Sequence, residues 1–80
     1  MPPNESQRSA ESEVRLLGSR IRFLRRTQHR TLDDVATECG ISKSLVSKIE
    51  TGRLMPSVST LAKLADALGT MEAKLAAVFA

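Results

Sequence analysis

The stretch LDDVATECGISKSLVSKIET, residues 32–51, constrains the fold more than any other part of the chain. Its apolar residues recur at intervals of three and four on both sides of Gly40, which predicts two amphipathic helices joined by a short turn. Helices joined by so short a turn cross at a steep angle, so a small residue is needed where they touch, and Ala36 provides it. The turn itself needs a residue that tolerates positive φ, and Gly40 provides it. Ile41 is predicted to fill the corner. The positions predicted to face inward are Val35, Cys39, Val46 and Ile49.

Capping residues predict where the helices begin and end. Thr31 precedes the second helix and Asp34 follows three residues later, an acidic variant of the reciprocal capping box. Ser42 is the predicted N-cap of the third helix and Ser57 that of the fourth. Glycines, which adopt the left-handed conformation readily, end the second, third and fourth helices at Gly40, Gly52 and Gly69.

The first helix is predicted to begin near Val14, with Ser12 as its N-cap, and to end near Thr27. Its apolar stripe is Val14, Leu17, Ile21 and Leu24. Gly18 inside this helix costs roughly 1 kcal/mol relative to Ala, so its presence predicts close packing there. Residues 1–13 hold two prolines and few apolar side chains, so we predict a disordered tail, which leaves 14–80 as one domain.

Two further helices complete the predicted fold. The fourth carries the stripe Leu61, Leu64, Ala65 and Leu68. Thr70 is the predicted N-cap of a fifth, whose stripe is Met71, Leu75, Val78 and Phe79. This last stripe either completes the core or packs against a partner. No segment has the pattern of a strand, so we predict an all-α fold of five helices.

Positive charge is concentrated in the middle of the chain. Residues 14–56 hold nine Lys and Arg against four acids, a net charge of +5, whereas residues 1–13 carry −2 and residues 57–80 are neutral. Such a block is typical of a protein that binds a polyanion, although a solvated surface has the same composition.

Several function classes lack their sequence signatures. No Ser/His/Asp set, Gly-rich phosphate loop or Cys pair is present, so we expect no enzyme activity, no catalytic residues, no cofactor and no small-molecule site. His29 has no second ligand nearby, which argues against a metal site. Cys39 occupies an apolar position, as a buried inert thiol would. The sequence has neither a bilayer-spanning apolar run nor a signal peptide, so we expect no membrane association and a cytoplasmic location.

The third helix has an outward face suited to the floor of a DNA groove. If Val46 and Ile49 face the core, four short or basic side chains share the opposite side: Lys43, Ser44, Ser47 and Lys48. Lysine donates to guanine O6 and N7, and serine pairs with either base type, so we predict that these four read bases. Leu45 either contacts a thymine methyl or is partly buried.

Phosphate contacts are expected from helix ends and from the basic groups beside them. The candidates are Thr31, the backbone of Leu32, Ser42, Thr51 and Arg53. Arg30 either reaches the DNA backbone or is solvated.

These motifs resemble the Cro/C1-type helix-turn-helix family of phage repressors and bacterial transcription regulators, also called the XRE family. The resemblance covers about residues 17–79 and rests on LGSRIRFLRR, TLDDVATECGIS, LVSKIETGR and PSVSTLAKLADALG. It implies a lambda-repressor-like bundle of five helices, with the helix-turn-helix at 32–51 and the third helix contacting base edges of double-stranded DNA.

The resemblance also implies roles outside the motif. An ion pair between Arg25 and Glu50 would join the first helix to the third. The C-terminal helix region of the family makes a symmetric dimer, which implies a homodimer on a pseudo-palindromic operator. The possible dimer face is then Met71, Leu75, Val78 and Phe79. Arg30 and Leu32 depart from the family pattern, since an apolar and an amide-bearing residue are usual there, so the contact at Leu32 falls to its backbone N–H.

The sequence therefore predicts a sequence-specific regulator, a repressor, that is encoded by a bacterium or a phage and binds DNA in the nucleoid. One alternative is an antitoxin or restriction-control protein that also binds a protein partner. The other is a helical interaction module that has lost DNA binding.

Overall fold

The computed structural model describes residues 5–77, and every regular element in this range is helical. The five helices are α1 (Glu5–Thr27), α2 (Leu32–Cys39), α3 (Lys43–Glu50), α4 (Val58–Ala67) and α5 (Glu72–Ala76). The predicted all-α fold of five helices is confirmed. None of the described helices is long and apolar enough to cross a membrane.

The first helix begins earlier than the sequence pattern predicts. Because α1 starts at Glu5, residues 5–13 are helical, and the prediction of a disordered tail over 1–13 is wrong for them, as is an N-cap at Ser12. Residues 1–4 lie outside the described range. The physical reason is cooperativity: once packing has formed the helix around Leu17, each further residue adds one hydrogen bond at little cost, so the extension needs no apolar face.

Local capping explains the boundaries of α2, α3 and α4. Side-chain oxygens of Thr31, Ser42 and Ser57 each accept a hydrogen bond from the backbone N–H three residues on, as predicted. The predicted cap of the fifth helix at Thr70 is wrong. The N-cap residue of α5 is Met71, which makes no side-chain capping bond, because Thr70 lies one residue too early.

The core is built from aliphatic side chains of all five helices. Its buried apolar members are Leu17, Ile21, Val35, Ala36, Cys39, Val46, Ile49, Leu61, Leu64, Ala65, Leu68 and Leu75. All of them are positions that the sequence pattern assigned to the interior or to an apolar stripe.

The fifth helix completes this core instead of presenting one continuous outer stripe. Leu75 is 2% exposed and packs inside the same molecule, whereas Met71 is 65% exposed. Leu75 is therefore unavailable to a partner, which corrects its assignment to the possible dimer face. Val78 and Phe79 lie outside the described residues.

The segment between α1 and α2 binds the end of α4. Gln28 Nε2 donates to the carbonyl of Leu68 at 2.8 Å, and Arg30 Nη1 donates to that of Ala67. Arg30 also forms an ion pair with Glu38. The structure thus differs from both sequence interpretations of Arg30, solvation and DNA contact: its guanidinium joins α2 to α4.

Gly18 lies where α1 crosses the end of α3. A Cβ atom on this residue would stand 2.3 Å from the carbonyl oxygen of Ile49 and 2.6 Å from that of Glu50. Both obstacles are backbone atoms, which cannot move aside as the end of a flexible side chain can. The predicted close packing at Gly18 is therefore confirmed, and it sets the separation of α1 and α3.

We expect Gly18→Ala to destabilise the protein. Helix propensity alone would favour alanine by about 1 kcal/mol, but overpacking a core contact costs roughly 1–3 kcal/mol. Because the atoms in the way belong to the backbone of α3, we expect a cost near the upper end of that range. A net loss of about 2 kcal/mol would lower the melting temperature by roughly 10 °C in a domain of this size, measured by circular dichroism. The control is Ser19→Ala at the exposed neighbouring position, which should melt at or above the wild-type temperature. An alanine variant at 18 as stable as wild type would contradict the close contact.

Candidate nucleic-acid interface

The connection between α2 and α3 fixes the angle at which α3 leaves the core. Gly40 adopts the left-handed conformation with φ 69°, and the N–H of Ile41 donates to the carbonyl of Ala36 at 3.0 Å. Ala36 is buried at the contact between the helices, and Ile41 packs against the core. These are the roles that the spacing predicts, so the helix-turn-helix at 32–51 is present.

The outer face of α3 is polar and basic. Val46 and Ile49 are buried, while Lys43, Ser44 and Lys48 are exposed and Ser47 is half-buried. All four predicted base-reading residues are thus on the side away from the core. Leu45 is partly buried against the core, which agrees with its structural interpretation. The exposed face can offer ammonium and hydroxyl donors to a ligand.

The N-terminus of α2 is a second source of donors. In the capping box, the N–H of Thr31 donates to Asp34 Oδ2 at 2.8 Å and the N–H of Asp34 donates to Thr31 Oγ1 at 3.0 Å. Among the hydrogen bonds of the described residues, none uses the N–H of Leu32 or Asp33. The side chain of Leu32 packs on the core, so its backbone N–H is the group available to an anion.

The hydroxyl groups near this face are not equivalent. Ser42 Oγ accepts from the N–H of Leu45, and Thr31 Oγ1 accepts likewise, so each retains its own proton for donation to an anion. Thr51 Oγ1 instead donates to the carbonyl of Ser47 at 2.9 Å. Its only hydroxyl proton is therefore in use, and a contact from Thr51 to phosphate would require that bond to break. Arg53 is exposed beside it.

A hollow of mixed charge lies between the starts of α2 and α3. Its lining consists of Arg25, His29, Arg30, Thr31, Leu32, Asp33 and Lys43. The sequence motifs pointed to Thr31, Leu32 and Lys43. His29 and Asp33 were missed, because their proximity to Lys43 depends on how the loop after α1 folds, and no spacing in the sequence encodes it.

Arg25 and Glu50 form the ion pair that joins α1 to α3. Arg25 Nε donates to Glu50 Oε2 at 2.7 Å and Nη2 donates to Oε1 at 3.0 Å, a two-point geometry. Arg25 Nη1 also donates to the carbonyl of Arg30 at 2.8 Å. The hydrogen bond that Arg25 donates to Glu50 raises the pKa of the Arg25 guanidinium above its ordinary value. The predicted pair is therefore present, and it prevents the acid of α3 from presenting a free charge.

The described residues hold no group of three His, Cys, Asp or Glu that could bind a metal ion. Cys39 is buried and its thiol donates to the carbonyl of Lys63 at 3.5 Å. Burial raises the pKa of this thiol, which keeps it in the less reactive protonated form.

We expect Glu50→Ala to lower the free energy of unfolding by about 3–5 kcal/mol, because it leaves the Arg25 charge unpaired at a buried position. The Arg25 and Glu50 side chains are 13% and 4% exposed. The matched control is Glu38→Ala, which breaks the other Arg–Glu pair, where the acid is 53% exposed. Its loss should stay below about 1 kcal/mol. If urea unfolding showed the same loss of stability for Glu50→Ala and Glu38→Ala, the burial of the Arg25–Glu50 pair would not be what determines its contribution to stability.

The capping box of α2 should make the stability of the protein depend on pH in the acidic range. The hydrogen bond from the backbone N–H of Thr31 lowers the pKa of Asp34 below its ordinary value of 3.8. A carboxyl whose pKa is lowered by folding stabilises the fold above its ordinary pKa, and that stability disappears as the pH falls through the folded value. Asp34→Asn should therefore melt below wild type at neutral pH, and the two curves should converge below pH 3.8.

The matched control for Asp34 is Asp33→Asn, which removes a neighbouring charge from the same helix terminus and leaves the capping box intact. A difference between wild type and Asp34→Asn that stayed constant from neutral to acid pH would show that the carboxylate is not the group responsible.

Comparison with known proteins agrees with this geometry. A family model described as a helix-turn-helix domain matches residues 16–78. The HTH-type transcriptional regulator y4dJ of Sinorhizobium fredii (strain NBRC 101917 / NGR234) is 39% identical over 61 residues, covering 76% of this chain and 79% of the relative. The crystal structure of the restriction-modification controller protein C.AhdI from Aeromonas hydrophila is similar with a TM-score of 0.77 and 28% identity, covering 80% of this chain and 97% of that one.

The controller protein shares the helical bundle with this chain, and the family match over residues 16–78 covers nearly all of the region to which the sequence motifs pointed. Because the motifs, the capped turn and the matches all agree, the resemblance found in the sequence is confirmed, and the chain belongs to the Cro/C1-type (XRE) family of helix-turn-helix transcriptional regulators.

Proposed function

We propose that this protein is a sequence-specific regulator that binds double-stranded DNA with α3 in the major groove and represses transcription. The observation that carries the proposal is the division of α3 into two faces. Val46 and Ile49 are buried, and the opposite side offers Lys43, Ser44 and Lys48 to solvent. A helix of this kind fits the major groove, where the base pairs differ in their donors and acceptors.

The groups beside α3 support the same placement. The free backbone N–H groups at the start of α2 and the hydroxyl protons of Thr31 and Ser42 point to phosphate binding, as does the exposed Arg53 near the other end of α3. Contacts on both sides of a helix in the groove would hold its register while the base contacts supply specificity. Thr51 contributes less, because its hydroxyl proton is already donated to α3.

Repression needs nothing beyond DNA binding, because a bound protein can exclude polymerase from the same site. We propose that the protein acts as a homodimer on a pseudo-palindromic operator, with half-sites about 34 Å apart so that both α3 helices enter the same side of the duplex. Its place of action is then the bacterial cytoplasm, in the nucleoid where the DNA lies.

A second candidate function is control of a restriction-modification system. The likeness to the controller protein C.AhdI, at a TM-score of 0.77, favours this role over that of an antitoxin. It keeps the same DNA contacts and changes only the genes that are regulated. Selection of bound sequences from a random duplex pool, followed by a search for the operator upstream of nuclease and methyltransferase genes, would separate it from general repression. Failure to retain any duplex at low salt would instead support a module that does not bind DNA.

We expect Lys43→Ala and Lys48→Ala to weaken binding and to relax base preference. Loss of one good base contact costs about 1–3 kcal/mol of discrimination, so the ratio of specific to nonspecific affinity should fall by about 5- to 150-fold in gel shifts. Lys63→Ala is the matched control, since it removes an exposed lysine from α4 without touching α3. Loss of affinity that is equal on all sequences would show that Lys43 and Lys48 contact only phosphate.

Arg53→Ala should behave differently from the α3 lysines. A phosphate contact adds the same attraction on every sequence, so affinity should fall uniformly, and the slope of log affinity against log salt should decrease by about one unit. A change in base preference on removing Arg53 would instead place its guanidinium against a base edge.

A further inference from the structure

His29 has a backbone conformation that the other described residues leave to glycine. Gly40, Gly52 and Gly69 have positive φ angles between 68° and 74°, and His29 has a φ of 55°. This left-handed region suits glycine and is unfavourable for a residue that carries a Cβ atom. His29 occupies the turn at the end of α1, where a glycine would fit without strain. The imidazole is therefore accommodated there at a cost to the backbone.

Hydrogen bonds on both sides hold the backbone of His29 in place. Its own N–H donates to the carbonyl of Arg26 at 3.0 Å, and the N–H of Arg30 donates to the carbonyl of Arg25 at 3.1 Å. The two neighbouring side chains, those of Gln28 and Arg30, donate to carbonyls at the end of α4. His29 itself is exposed, so its ring is presented to solvent from a fixed position beside the start of α2.

The charged residues that share the hollow with His29 add little net attraction for an anion. The two arginines of its lining, Arg25 and Arg30, are both in ion pairs. Its other charged residues have opposite signs, since Asp33 comes from α2 and Lys43 from α3. An anion at this place is therefore bound by directed donors more than by net charge. An imidazole ring has an N–H donor whether it is neutral or protonated.

We infer that His29 is a further contact to DNA, in which an imidazole N–H donates to a phosphate oxygen of the strand beside the start of α3. This inference rests on the proposed function. His29 lines the same hollow as Lys43 in the first turn of α3 and Leu32 at the start of α2. The side chain of Leu32 packs on the core and leaves only a backbone N–H for the phosphate. The imidazole thus adds a side-chain donor to that contact.

A phosphate fits the position of His29 better than a base edge does. His29 lies in the connection between α1 and α2, outside the helix that would enter the groove. The bonds from its neighbours to α4 keep this connection against the bundle. Phosphate contacts fix the register of a protein on the duplex and carry no sequence information. His29 should therefore strengthen binding to the same extent on every sequence.

The first test compares DNA affinity with thermal stability in His29→Gly, using a duplex of mixed sequence at low salt. Loss of one hydrogen bond should weaken binding by about 3- to 10-fold, and equally on an operator selected from a random pool. Since glycine adopts a φ of 55° without strain, the variant should melt at or above the wild-type temperature. Thr27→Ala is the matched control. Thr27 is exposed two residues earlier but lines the hollow beside Phe23, so its loss should leave affinity unchanged.

A second measurement separates the loss of a contact from a loosening of the loop. Single phosphates of the selected operator are replaced by uncharged methylphosphonate. The loss of affinity caused by His29→Gly should nearly disappear at one phosphate position and persist at the others. A loss that persists at every position would show that the loop is responsible, and it would overturn the contact.

The remaining outcomes are equally decisive. Unchanged affinity in His29→Gly would refute the contact and leave the DNA-binding regulator standing, because wild type and variant would both still bind the duplex. A change in base preference would place the imidazole against a base edge and refute the phosphate assignment. Wild type that retains no duplex at low salt would overturn the proposed function together with this inference.

Discussion

The contact between α1 and α3 is the constraint on which the rest of this small protein depends. It combines the two-point ion pair of Arg25 and Glu50 with the approach of Gly18 to the last carbonyls of α3. The glycine permits the short separation and the ion pair fixes the rotation of α3 about its own axis. That rotation decides which side chains point outward, so the composition of the exposed face follows from a contact on the buried side.

The same contact settles the electrostatics of the proposed DNA face. Glu50 is the only acid of α3, and a free carboxylate there would oppose any polyanion. By pairing with Arg25 at a buried position, it contributes to stability without adding negative charge to the surface. In turn, Arg25 is used internally, and the outward positive charge of α3 comes from Lys43 and Lys48 alone. Stability and binding are thus assigned to different residues of one eight-residue helix.

How far the sequence predicts this molecule depends on how local each interaction is. The capping box at Thr31 and Asp34 and the left-handed Gly40 lie within a few residues of their partners, so spacing alone identified them. Arg30 could not be assigned in this way, because its acceptor on Ala67 is 37 residues distant. The start of α1 was missed for a different reason: periodicity detects only apolar faces, and the extension over residues 5–13 needs none. The role of Leu75 could not be decided from the sequence, because a helix that packs into the core and a helix that packs against a partner carry the same apolar stripe.

The hydrogen bonds from Gln28 and Arg30 to the last carbonyls of α4 connect the loop before α2 to the end of α4. Both donors belong to the three residues immediately before Thr31, and thus before the N–H groups that we propose bind phosphate. The two bonds attach the segment that leads into α2 to the end of α4, where the chain turns towards α5. The position of the α2 terminus is therefore set by the far end of α4 as well as by its own capping box, although the two segments are distant in the sequence.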